Sequence, residues 1–466
     1  MKQVTINVGN VIRLSSIPHH FIPKLREKLI MENPVWVENE KRNRFNGKTP
    51  PKLRFISEDS KTIPRGFLRE LRKMLIEAQI PYRIRRNNIS YPISIESLIS
   101  FDGKPHQTIA ISKVLKRKAG VLEAPTGSGK TVMAIETICQ RKERTLIVVH
   151  TKELLYQWRD RLLQFTNLRE DEIGLLGDGK KKSGKVTVGI INTLRSLTKK
   201  SPKYFNKSFG YVIVDECHRI PSNTFSKFIV DLDTKYMLGL SATPYRRDGL
   251  DLVIKFFMGD VIHKIQTKKL QKDGHILKAK LEIIKTFFSP YIDSKIDGIT
   301  SMSYQAMLNE LVTDEGRNQI IFKKVREQCK KDAGVVLIIS DRVGHCKTLY
   351  NKLSKMSDYK VVMVTGASTK KEREKALEAL NKGEAKILIA TGQLIGEGFD
   401  LKHLSSVFLT FPIKYDGRLT QYIGRVLRIA DGKEGATIYD FNDPCWLLRG
   451  SYNSRVKYYK EMEMMK

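Results

Sequence analysis

The stretch GVLEAPTGSGKTVMAIETICQ, from Gly120 to Gln140, runs from an apolar segment through a glycine-bearing loop into a helix-like segment. Strand, glycine loop and helix in that order are the context a phosphate-binding loop requires. Its centre is APTGSGKT, Ala124 to Thr131. There Thr126, Gly127, Ser128 and Gly129 form a cradle whose backbone amides and following helix N-terminus face negative charge, with the two glycines letting the chain wrap the phosphates. Lys130 reaches the terminal phosphates of ATP, and Thr131 offers a hydroxyl to magnesium. Ala124 stands where the generic pattern has glycine.

A second apolar run, YVIVDECHRI from Tyr211 to Ile220, ends in two carboxylates, a cysteine and a histidine. Zinc would need a fuller ligand set than Cys217 and His218 provide. The reading that agrees with the glycine loop places Asp215 at a strand end to bind magnesium, mostly through water. Glu216 beside it then orients and deprotonates the attacking water. Cys217 reads as a small buried residue, and His218 as a link to neighbouring loops. LGLSATPYRRDG carries Ser241 and Thr243 after another strand, as a coupling loop whose hydroxyls bond to the carboxylate strand. Gln107, 23 residues before Lys130, is placed to recognise the adenine edge; taken alone it reads as a solvated helix residue.

Outward from these motifs, short apolar strands alternate with amphipathic helices, which predicts an α/β fold with mainly parallel sheets covered on both faces. Active loops then lie at the carboxyl ends of the strands. Residues 1–95 form a basic α+β accessory domain for DNA recognition, 96–260 a first ATPase domain, 261–310 a linker or small insertion, and 311–466 a second α/β domain. Within the first region, IPHHFIPKLREKL from Ile17 echoes IPRGFLRELRKML from Ile63, which suggests two β-α units. The first 100 residues hold 19 Lys and Arg against 9 Asp and Glu, a balance of +10. A structural cap on the motor is the alternative there.

The second domain contributes QLIGEGFD, Gln393 to Asp400, and QYIGRVLR, Gln421 to Arg428. Arg425 and Arg428 are three apart and share a face if this segment is helical. As a pair they suit cationic clamps on ATP held by the first domain, acting on the transferring phosphoryl group when the domains close; a solvated basic pair is the plain reading. The tail SYNSRVKYYKEMEMMK reads equally as a docked last helix or a DNA contact.

With 466 residues, 83 Lys and Arg against 50 Asp and Glu, and a net charge of +33, the chain is a multidomain protein that should attract polyanions. A Lys-rich host composition would give the same count. Five cysteines in an odd, scattered set fit reduced cytoplasm better than a disulfide framework. Neither a signal peptide nor an 18-residue apolar run is visible, so a cytoplasmic, non-secreted protein with no membrane partner is expected; that the cell is bacterial or phage-infected is implied by the resemblance named next.

Together these motifs resemble superfamily 2 helicases, nearest the branch of XPB and phage UvsW-like branch-migration enzymes. The resemblance spans about Lys104 to Phe441, with APTGSGKT, DECH, SATPYRRDG and QYIGRVLR in the family order. It implies two RecA-like domains with ATP and nucleic acid in or across their cleft, and the roles above for Gln107, Lys130, Thr131, Asp215, Glu216, Arg425 and Arg428. It further implies that Gly398 and Asp400 touch the nucleotide, Asp400 near the ribose. Thr151, Lys152, Thr193, Arg342 and Thr391 become candidate backbone contacts, as a motor stepping on any sequence requires. His150 stands where relatives usually have proline.

The resulting expectation is an ATP-driven DNA helicase and translocase that remodels forks or Holliday junctions in recombination and repair, with 3'-to-5' polarity implied by the resemblance. It would act as a monomer on DNA, alongside replication or recombination proteins. An RNA helicase, a translocating subunit of a restriction or defence complex, and a non-catalytic DNA-binding scaffold are the competing readings.

Overall fold

The computed structural model describes the chain except residues 1–2, 42, 87–89, 202–207, 244–248, 291–300, 356–357, 397–400, 402, 414–416, 431–432, 434 and 466. Two compact units result: Met1–Ala124 with Gly129–Ile265, and Gln266–Lys466 with Pro125–Ser128.

The first unit opens with an antiparallel hairpin of β1 (Val4–Val8) and β2 (Val11–Ser15). A small separate pair, β3 (Ile30–Glu32) with β4 (Lys52–Arg54), follows. Then β5 (Thr62–Pro64) joins β2, and β6 (Tyr82–Arg86) runs parallel to β1, giving the order β5-β2-β1-β6. Helices α1 (Ile22–Leu29), α2 (Pro34–Lys41) and α3 (Leu68–Glu77) complete this subdomain. The internal echo has a structural counterpart. Each copy is a single 3-10 turn, His19–Phe21 or Arg65–Phe67, running directly into α1 or α3. Pro18 and Pro64 hold the extended entry to each turn, consistent with their fixed φ.

This small sheet is fastened to the larger one. Phe256 of the helix Asp251–Met258 is part of the subdomain's core, with ring centroids 5.0 Å from Phe55 and 5.7 Å from Phe67. Gly66 lies so close to the backbone of that helix that a Cβ would collide with carbonyl oxygens of Lys255 and Phe256. Arg69 pairs with Asp260 at 2.9 Å, and Asn10 donates to the Val230 carbonyl at 2.8 Å.

The larger sheet of the first unit holds β7 (Ala119–Glu123), β8 (Thr145–Val149), β9 (Ile173–Gly177), β10 (Lys180–Lys182), β11 (Val186–Ile190), β12 (Tyr211–Val214), β13 (Tyr236–Ser241) and β14 (Val261–Lys264). Their order is β10-β9-β11-β8-β12-β13-β7-β14, parallel throughout except for β10 against β9. β8 and β12 are buried at every residue, as a central parallel strand covered on both faces must be. Helices α4 (Pro105–Leu115), α5 (Lys130–Arg141), α6 (Lys152–Phe165) and α7 (Ile191–Lys200) belong to this layer.

The second unit is a six-stranded parallel sheet of β15 (Ala279–Lys285), β16 (Val335–Ile339), β17 (Val361–Val364), β18 (Ile387–Ala390), β19 (Leu404–Leu409) and β20 (Ala436–Asn442), in the order β15-β20-β19-β16-β18-β17. The last helix, Trp446–Glu461, is docked on it: buried Arg455 and the Tyr459 hydroxyl both donate to Asp440, at 2.8 and 2.9 Å.

Two described parts of the stretch 261–310, expected as a linker or small insertion, are sheet strands. Strand β14 extends the first sheet beside β7, and β15 closes the edge of the second beside β20. Both are edge strands whose lysines, in VIHK and AKLEIIK, dilute the apolar signal that central strands carry. Among the described residues no helix is long and apolar enough to cross a membrane.

Because Phe256 reaches into the subdomain's core from a helix of the larger layer, Phe256→Ala should cost about 3–5 kcal/mol. Urea unfolding measures the loss, and limited proteolysis should show earlier cleavage within residues 1–95 than in the parent protein.

Candidate nucleotide and nucleic-acid site

The carboxyl ends of neighbouring parallel strands in the first unit bring the sequence motifs together. β7 runs into the glycine loop, where Gly127 and Gly129 have φ of +88° and +85°. Both values lie in the left-handed region that glycine enters without strain. Ser128 folds back, its hydroxyl donating to the Pro125 carbonyl at 2.7 Å. Lys130, half-buried at the first position of α5, donates to the Ala124 carbonyl at 2.9 Å across the loop. Gln107 is buried on α4 and packs against Gly129, so closely that a methyl group on the glycine would clash with its amide nitrogen. The structure therefore places Gln107 at the phosphate loop and not on a solvated helix face.

Asp215 follows β12 and is 8% exposed. One carboxylate oxygen accepts the Glu216 amide at 2.9 Å and the other accepts the indole N–H of Trp158 at 2.8 Å. Burial and the adjacent Glu216 charge push Asp215 up to about 6, while Trp158 and Lys130 pull it down. Burial also works to raise Glu216, but His218, Lys130 and His150 outweigh it and hold this carboxylate down to about 2. The two neighbours thus ionise in opposite directions from their usual range. Glu216 has φ of +48°, a strained backbone for a residue with a long side chain. His150 is brought down to about 4, by burial first and by Arg219 second.

His218 joins this centre to the next strand. Its Nδ1 lies 3.2 Å from Glu216 Oε2 and 3.2 Å from Ser241 Oγ, at the end of β13. Thr243 takes part through its amide, which donates to Ser241 Oγ at 3.1 Å. The expected link from Ser241 and Thr243 to the carboxylate strand therefore runs through the His218 imidazole. Cys217 is fully buried, its Sγ pressed against Gly239, and burial raises its thiol far above the ordinary range. Magnesium prefers hard oxygen donors; the Asp215 carboxylate and the half-buried Thr131 hydroxyl at the start of α5 are donors of that kind, and the set fits the ion.

The other polar candidates also follow strand ends. Thr151 is the N-cap of α6 after β8, its hydroxyl accepting the Leu154 amide at 3.3 Å, and Lys152 beside it is paired with Asp178. Thr193 lies in the first turn of α7 after β11. In the second unit, Arg342 caps the helix Val343–Leu353 after β16 and bonds to Gln305, while Thr391 follows β18. Arg425 is on the helix Arg418–Val426, but that helix ends before Arg428. A backbone turn joins the two instead, the Arg428 amide meeting the Arg425 carbonyl at 3.4 Å. Lys433 holds this terminus by donating to the Val426 and Arg428 carbonyls. Gly398 and Asp400 lie outside the described residues. Trp158 went unread in the sequence because a tryptophan on an amphipathic helix looks like core, and only the fold reveals that its N–H meets a carboxylate.

Residues 100–246 match the family model described as "Type III restriction enzyme, res subunit", and residues 308–430 match "Helicase conserved C-terminal domain". The chain is 26% identical over 369 residues to the ATP-dependent DNA helicase uvsW of Enterobacteria phage T4, covering 76% of this chain and 72% of that protein. It is 24% identical over 398 residues to the DNA 3'-5' translocase XPB2 of Sulfurisphaera tokodaii, covering 78% and 86%. The Hef helicase domain of Pyrococcus furiosus shares the fold, with a TM-score of 0.52 at 14% identity over 75% of this chain and 97% of that one. The fold and the ordered motifs define an ATP-dependent helicase of superfamily 2. Within that superfamily the chain is similar to the UvsW and XPB2 helicases over about three quarters of its length.

Replacing Gly129 by alanine tests the loop directly. A left-handed residue with a side chain costs roughly 1–2 kcal/mol, and the clash with Gln107 adds to it. Titration with a fluorescent ATP analogue should show affinity weakened by about tenfold or more, and the melting temperature should fall by about 2–8 °C.

Proposed function

We propose that the chain is a DNA helicase and translocase that remodels branched DNA, such as forks or four-way junctions, in recombination and repair. The observation that carries this reading is the placement of Lys130 after β7 and of Asp215 and Glu216 after β12, the two strands that flank β13, while the starts of helices in both units present Thr151, Thr193, Arg342 and Thr391 as hydroxyl or cationic groups.

In this reading Lys130 binds the terminal phosphates and Gln107 braces the loop beneath the adenine. Thr131 and Asp215 would hold magnesium, which when bound offsets phosphate charge during transfer. Glu216, held ionised by His218, takes the proton of the attacking water. Arg425 and Arg428 supply cations to the transferring group when the two units close, and closure ties each hydrolysis to a change of grip on the strand. Backbone contacts at helix starts allow stepping on any sequence, and the excess of positive charge speeds encounter. The basic subdomain of β1–β6 is the candidate element for recognising a branch. Polarity of 3'-to-5' follows the name of the XPB2 relative.

RNA is the second reading, because relatives named for DNA and for RNA both occur. Steady-state ATP hydrolysis with single-stranded DNA, duplex, a four-way junction and single-stranded RNA at equal nucleotide concentration separates the two. Strongest stimulation by the junction is expected; stronger stimulation by RNA overturns the DNA assignment.

Glu216→Gln should reduce kcat by at least about a hundredfold while ATP and DNA affinities stay within a factor of about three. Unchanged kcat would remove Glu216 as the base. Binding of single-stranded DNA should weaken steeply with salt, its logarithmic slope losing about 0.7 for each phosphate contact removed, as by Arg342→Ala.

A further inference from the structure

The side chain that fixes Asp215 belongs to α6, the helix whose first residues are candidate strand contacts. Among the described residues Trp158 makes the single side-chain hydrogen bond to that carboxylate. The indole is 1% exposed, and its N–H is a donor without any acceptor function. In a dry interior such a donor must find an acceptor, so indole and carboxylate constrain each other. The remaining carboxylate oxygen is taken by the backbone amide of the next residue, which leaves Trp158 as the outside element that sets the orientation of the group.

The position of Trp158 on its helix gives that constraint a direction. Thr151, the N-cap, and Trp158 are seven residues apart, two turns along one face, about 10 Å by helical rise. Tyr156 and Lys152 on the same helix both bond to Asp178 in the turn between β9 and β10, the former at 2.7 Å. A force applied to the helix start by a bound strand is therefore carried by a rigid element into a buried hydrogen bond of 2.8 Å, where a shift of several tenths of an ångström is felt.

We infer that Trp158 is a positioning residue that couples occupancy of the strand-binding end of α6 to the orientation of the Asp215 carboxylate. The inference rests on the proposed roles of Asp215 and Thr151. When a strand draws on the helix start, the indole turns the carboxylate toward the geometry that holds the ion; when the strand leaves, the carboxylate relaxes. The nucleotide site then answers to the strand through one side chain within a single unit, separately from any closure onto Arg425 and Arg428. Trp158 itself touches neither nucleotide nor strand.

Trp158→Phe keeps the apolar packing and removes the N–H. It should raise the magnesium concentration needed for half-maximal binding of a fluorescent ATP analogue by about 10–100-fold, the range for losing a partner that orients a metal ligand. High magnesium should restore binding, and stimulation of hydrolysis by DNA should fall by a larger factor than the DNA-free rate. The chain has three tryptophans, so a variant with Trp36→Phe and Trp446→Phe leaves the indole of Trp158 as the only tryptophan emitter. Its emission should shift on adding single-stranded DNA without nucleotide, and this second measurement stands if the Trp158→Phe protein does not fold. A wild-type magnesium titration in Trp158→Phe, or emission indifferent to DNA that binds, overturns the inference. Asp215→Asn serves as the control for the underlying reading. If it retains magnesium-dependent nucleotide binding, the assignment of Asp215 fails; if it loses that dependence while Trp158→Phe keeps it, the coupling alone fails.

Discussion

A carboxylate sealed at the end of a wholly apolar strand is the constraint on which the first unit depends. β12 is buried at all four residues, and the chain must then place Asp215 where water barely reaches. Burying a charge is tolerable only with directed hydrogen bonds or a cation. The fold supplies the Glu216 amide and the Trp158 indole, and the nucleotide loop brings Lys130 near. The left-handed turn at Glu216 and the tight seat of Cys217 on Gly239 follow from the same need. Only a sharp reversal lets both carboxylates occupy one strand end while His218 reaches back to Ser241.

Much of this was legible in the sequence because central parallel strands announce themselves as uninterrupted apolar runs. GVLE and YVIV are strands where the sequence placed them, and TLIVV and VVLII are buried runs of the same kind. Edge strands were harder to read. Lysines in β10, β14 and β15 break the apolar signal that central strands carry. The candidate site shows the same division. Glycines and the lysine of a phosphate loop have a fixed spacing, whereas the partner of Trp158 lies 57 residues away and no local pattern specifies it. Arg428 illustrates a limit of periodicity, since a spacing of three says nothing about where a helix stops.

In the second unit, two ionic pairs are buried on β20 and just after its end. Arg317 donates to Asp443 at 2.7 Å and to the Thr410 carbonyl at 2.9 Å, and Arg455 meets Asp440; all four side chains are almost fully buried. Such pairs add little net stability over apolar packing. They do dictate where the helices Glu315–Lys331 and Trp446–Glu461 sit on the sheet, because any other seating strands a guanidinium in hydrocarbon. The loops bearing Arg342 and Thr391 are thereby presented from a frame with one allowed arrangement.

The docking of the small N-terminal sheet has a consequence for solubility. Phe55 and Phe67 cover Phe256, which would otherwise face water from a helix whose neighbour Phe257 is also aromatic. A motor fold shortened to begin after residue 95 would carry a sticky aromatic surface and would tend to self-associate. The basic subdomain and the ATPase sheet are thus bound to be inherited together: neither keeps its surface clean without the other.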